Sequence, residues 1–122
     1  MSEEKLEVIV RAGNLMEYSI RVTSNRERYP AKYLQLIKRI QNISMDIYEF
    51  LLEANRTQLI TSKAERLELQ TRAITACDKL SRMIEMSLNL KLIDSDTLEH
   101  WQDQINDIKY MTIAWRDKDR RR

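Results

Sequence analysis

The spacing of apolar residues between Tyr33 and Ala54 constrains this chain more than any other feature. Tyr33, Ile37, Ile40, Ser44, Ile47, Leu51 and Ala54 follow one another at intervals of 4-3-4-3-4-3. Leu98, Trp101, Ile105, Ile108, Thr112 and Trp115 repeat the pattern at 3-4-3-4-3. These intervals return each side chain to one face of an α-helix, and a face sustained over many turns is one that packs on partner helices. A single glycine and a single proline in 122 residues leave too few turn formers for a β architecture. The expectation is therefore an all-α chain, one domain over residues 1–122, folded as an up-down-up-down antiparallel four-helix bundle. At this size it buries roughly 65–70% of its unfolded surface, enough for a core without staples.

Four helices are predicted. The first covers about Glu3 to Val22, with Ser2 as cap and Glu3 and Glu4 at the positive end of the helix dipole. Leu6, Ile9, Met16 and Ile20 outline its inner face, with Ala12 and Gly13 between them. Thr23 to Arg28 forms a loop, and Pro30 suits the first turn of helix two, where its missing N–H costs nothing. That helix runs to about Asn55 and carries a second apolar stripe, Leu36, Ile43 and Phe50. A helix with two apolar faces is either central in its bundle or in contact with another subunit. Ser62 and Glu65 have capping-box spacing and open helix three, whose inner face reads Leu67, Ile74, Cys77, Leu80, Ile84 and Leu88. Met83, Met86 and Leu90 lie partly off that face, as core flank or as interface. Helix four starts at Asp94, Ser95 or Asp96 and runs to about Lys118. Short loops make consecutive helices antiparallel neighbours.

Catalytic chemistry finds little support. His100 is the sole histidine and sits in a charged helix beside Trp101, where it reads as a surface or flank residue. Cys77 falls on an inner position and reads as an inert buried thiol. The two are no basis for a tetrahedral metal site, and no Glu-x-x-His pair marks a di-iron bundle. One glycine excludes phosphate-binding loops. No catalytic residue, cofactor or metal is expected. A lone cysteine excludes an intrachain disulfide and fits a reducing cytoplasm, and no apolar run reaches the length of a membrane span. The acidic start lacks a signal-peptide pattern.

Charge is more informative in its layout than in its sum of +2. Arg21, Arg26, Arg28, Lys32, Lys38 and Arg39 face one acid, Glu27, over the same stretch. In an up-down-up-down bundle they gather at one end. Arg56, Lys63, Arg66, Arg116, Lys118, Arg120, Arg121 and Arg122 gather at the other, diluted by Glu53, Glu65, Glu68, Asp117 and Asp119. Either set is suited to contacting phosphates by charge without reading sequence.

The segments Arg26 to Tyr33, Arg39 to Asn55 and Ile108 to Arg116 carry a resemblance. They are similar to bacterial four-helix-bundle proteins related to the accessory variability protein of diversity-generating retroelements, a group akin to ribosomal RNA intervening-sequence proteins. The likeness extends from about Val8 to Arg116 and consists of helix-packing patterns rather than a catalytic signature. It implies a homopentameric ring that binds RNA or DNA and a reverse transcriptase, without catalytic residues. It implies nucleic-acid contacts through basic side chains, here the two blocks named above. Leu36, Ile43, Phe50, Met83, Met86 and Leu90 are the expected interface between subunits.

Overall fold

The computed structural model describes residues 3–122, with side chains from residue 7 onward. Ser2 and the side chains of Glu3, Glu4 and Leu6, which figure in the expectations for helix one, lie outside it. Four helices account for the fold: α1 (Glu3–Thr23), α2 (Leu34–Arg56), α3 (Leu59–Asn89) and α4 (Ser95–Arg120). A 3₁₀ turn, Ala31–Tyr33, leads into α2, with Pro30 immediately before it. Among the described residues no strand occurs. α1 packs on α2 and α4, and α3 on α2 and α4, while among the described residues the diagonal pairs make no close backbone approach. This is the up-down-up-down four-helix bundle that the spacing demands.

Each helix end has a local cause. Asp94 caps α4, its carboxylate accepting the Thr97 N–H at 2.7 Å. Hydrogen bonding from Thr97 holds the Asp94 carboxyl below the usual carboxylate range, and Arg28 adds to the effect. α3 ends in a Schellman turn: Leu92 N–H reaches Ser87 O across Lys91, whose φ of 62° is left-handed. Glycine usually fills that position; here lysine takes it, and buried Leu92 and Ile93 hold the turn against the core. The expected Ser62 capping box does not close. Ser62 instead breaks the helical backbone near the start of α3 (φ −142°, ψ 43°), and its hydroxyl lies 3.5 Å from Thr61 Oγ1.

The α2 stripe goes to the core as its spacing dictates: Ile37, Ile40, Ser44, Ile47, Leu51 and Ala54 are buried, and Tyr33 packs at the margin. The α4 stripe does the same from Trp101 to Trp115, with Leu98 at its edge, and continues one step further to Asp119. α1 and the first half of α3 are rotated from expectation, whereas Cys77, Leu80 and Ile84 further along α3 are buried as expected. On α1 the buried line is Val8, Ala12, Leu15, Ser19 and Thr23, with Ile9 beside it, while Met16 is only half-buried and Ile20 is 36% exposed. Ser19 takes a core position because it accepts the Trp101 indole N–H at 3.0 Å. Thr23 takes the next because its hydroxyl donates to Ser19 O and accepts from Gln41. On α3 the first buried residues are Arg66, Gln70 and Ala73, and Leu67 and Ile74 are half-buried. Gly13 is not forced by close approach, since an added Cβ would sit 3.5 Å from the Tyr48 ring, ordinary contact.

Candidate nucleic-acid interface

The two basic blocks lie at opposite ends of the bundle, but much of their charge is spent inside the protein. Arg66 is corrected outright. It is 5% exposed, and its guanidinium lies 2.8 Å from Asp119, whose side chain is 1% exposed. Gln70 Nε2 donates to the same carboxylate at 2.8 Å, Arg66 also donates to Thr57 O, and Arg66 lies over the Trp115 ring. No phosphate reaches this cation. Lys63 donates to the carbonyls of Arg120 and Arg122. Arg116 is half-buried and donates to Thr71. Arg120 pairs with Asp117 and Arg122 approaches Asp119 at 4.0 Å. Lys118 and Arg121 are exposed.

At the opposite end Arg26 donates to Thr23 O and Tyr29 O, and so ties down the loop that follows α1. Arg28 donates to Thr97 beside the α4 cap. Lys32 lies over the Tyr33 ring. Arg21, Arg39 and Arg56 are exposed and make no hydrogen bond or ion pair among the described residues.

A different feature brings charge together in a concave setting. Arg39, Ile43, Asp46 and Phe50 run along α2 at intervals of 4-3-4, and Glu68, Arg72, Thr75 and Lys79 run along α3 at the same intervals. The antiparallel packing of α2 on α3 sets the two rows face to face across a groove of about 560 Å³. That volume lies in the range of sites for small organic ligands. Arg39 and Lys79 stand at one end of it, and neither has a polar partner among the described residues. Asp46 also lacks one, whereas Arg72 is held by Glu68 at 3.2 Å. Ile43 and Ala76 are buried in its floor, and Phe50 is half-buried.

This groove revises the expected interface residues. Ile43 is only 5% exposed and belongs to the core of the α2–α3 seam, so it is not a free contact residue. Leu36, Phe50 and Met83 are half-buried against the core, and Met86 and Leu90 are exposed. Arg72 and Lys79 were not singled out in the sequence because they lie mid-helix in α3, outside the two basic blocks at the helix ends. The shared 4-3-4 interval on two adjacent antiparallel helices was the available signal.

His100 stacks edge-on against Tyr18 at 5.1 Å. Among the described residues, no group of three or more His, Cys, Asp or Glu is placed to hold a metal ion. No helix there is long and apolar enough to cross a membrane. Cys77 is buried, and burial, with Asp78 nearby, pushes its thiol up to about 12. We expect a maleimide or disulfide reagent at pH 8 to leave folded protein unlabelled and to label it fully in denaturant. Rapid labelling of the folded chain would show an accessible thiolate and overturn the assignment of Cys77 as inert packing.

Comparison with protein-family models, with characterised proteins and with solved structures finds no match to this chain.

Proposed function

We propose that this chain is a non-catalytic accessory protein that binds nucleic acid, serves a reverse transcriptase of a diversity-generating retroelement, and works as a homo-oligomeric ring. The observation that carries the nucleic-acid part is the pair Arg39 and Lys79, which line a concave groove and make no ion pair among the described residues. Exposed cations left unpaired by the fold are available to displace counterions from phosphates. The retroelement and ring parts draw on the resemblance of Arg26 to Tyr33, Arg39 to Asn55 and Ile108 to Arg116 to the accessory variability family. One protomer offers few free cations. A ring repeats them around one axis, so several weak contacts act together on one strand.

The test combines light scattering with anisotropy of a labelled RNA across a salt series. A mass of five protomers is expected, with affinity falling linearly in log–log form as salt rises from about 50 to 200 mM. A monomer that ignores RNA at the lowest salt would overturn the proposal. That outcome would favour a second reading, a protein-interaction bundle without a nucleic-acid role. The half-buried Leu36, Phe50 and Met83, with exposed Met86, are the observation behind it.

A further inference from the structure

We propose that the α2–α3 groove seats single-stranded nucleic acid, with a phosphate at Arg39 and Lys79, the edge of its base at Asp46 and the next base along the strand at Phe50. This rests on the nucleic-acid reading above and adds the site, the strandedness and a base preference. The groove is polarised along its length. Two cations without polar partners stand at one end, the unpartnered carboxylate of Asp46 follows, and Phe50 lies beyond it. Arg39 and Asp46 are two turns apart on α2, about 10 Å of helix rise. That is close to the reach from a phosphate to the far edge of its own base. A nucleotide laid along the groove therefore meets opposite charge at its phosphate. Its base edge meets a hydrogen-bond acceptor.

The same polarity excludes a duplex. In a duplex the base edges are paired and stacked, and only a continuous row of phosphates faces the protein. Such a row would run past Asp46 and Glu68, where like charge repels it. A single strand avoids this by turning its base inward. A groove that offers cations to phosphates and an aromatic ring to a base is a usual arrangement for binding unpaired strands. Asp46 then selects among bases. A carboxylate accepts from the exocyclic amino groups of cytosine and adenine, which thymine lacks.

The experiment uses the full chain and labelled homopolymers of equal length, (dC)₁₂, (dA)₁₂ and (dT)₁₂, with a 12-base-pair duplex as competitor. Cytosine and adenine strands are expected to bind more tightly than thymine, and all three more tightly than duplex. Arg39→Gln/Lys79→Gln, at exposed helix positions, should weaken binding about tenfold or more and flatten the salt slope by roughly 0.7 per cation removed. Asp46→Asn should narrow the preference over thymine, and Phe50→Leu should cost about tenfold on every strand. Far-UV circular dichroism checks that each variant keeps its helices. If single strands bind but the groove variants bind as well as the parent, the groove is the wrong site while the nucleic-acid reading stands. Preference for duplex overturns the strandedness and again leaves that reading intact. Binding to neither overturns both.

Discussion

Replacing Asp119 with alanine is expected to cost about 3–5 kcal/mol, a large share of the roughly 5–15 kcal/mol that holds a domain of this size together. The reason is what the substitution leaves behind. Arg66 is enclosed by the α2–α3 turn, Gln70 and the Trp115 ring, and Asp119 is the carboxylate in contact with it among the described residues. Without that carboxylate the guanidinium stays buried and uncompensated, with Thr57 O as its remaining hydrogen-bond acceptor. Asp119→Asn keeps an acceptor for Arg66 and Gln70 and should cost less than alanine. Arg66→Met/Asp119→Leu removes both charges and is expected to return to within about 1–2 kcal/mol of the parent, because well-packed apolar pairs replace buried ion pairs at little cost. Urea unfolding measures all three. A loss below about 1 kcal/mol for alanine would mean that water reaches Arg66 and that the cluster is not closed.

That cluster also shows where the fold was legible and where it was not. The main stripes of α2 and α4 could be read from spacing, because nearly every position in them is apolar and the 3-4 interval is unbroken, although the burial of Ile43 and Asp119 was unforeseen. α1 and α3 could be read as helices, but the rotation of α1 and of the first half of α3 could not; from Cys77 to Ile84 the inner face of α3 follows its apolar spacing. Pattern reading assigns the apolar side chain to the interior, whereas Ser19, Thr23, Arg66 and Gln70 occupy core positions through partners on other helices. One clue lay in α4. Asp119 falls four residues after Trp115, on the same stripe. An acid at a core interval requires a buried cation on a facing helix, and Arg66 lies across from it near the α2–α3 turn.

The candidate site was hidden for a related reason. Grouping basic residues by helix end gathers Arg66, Lys63 and Arg26, which the fold uses for itself as ion-pair, carbonyl and loop donors. It overlooks Arg72 and Lys79, which meet Arg39 only once α2 and α3 are laid in register. A count of charges along a chain cannot distinguish a cation that stabilises a turn from one left over for a ligand. The distinction depends on which carboxylates and carbonyls the packing brings within reach.

The second large effect is expected at Trp101, the bulkiest fully buried side chain. It fills the seam between α1 and α4, the less extensive of the seams that α1 makes. Its indole N–H donates to Ser19, and the Tyr18 ring packs edge-on against it at 5.7 Å. Trp101→Ala should cost about 3–5 kcal/mol through lost burial and the cavity left behind. The loss should fall unevenly. α1 is held to α4 through this contact, so hydrogen exchange in the variant should accelerate first along α1, with α2 and α3 protected longest. Ser19→Ala tests the polar half of the contact. It strands a buried N–H and should cost about 1–3 kcal/mol. Trp101→Phe removes the donor and keeps most of the bulk, so adding Ser19→Ala to it should cost much less than Ser19→Ala does alone. Strictly additive losses in that cycle would show that the indole and the hydroxyl do not depend on one another. Uniform acceleration of exchange across all four helices would show that α1 does not detach as a unit.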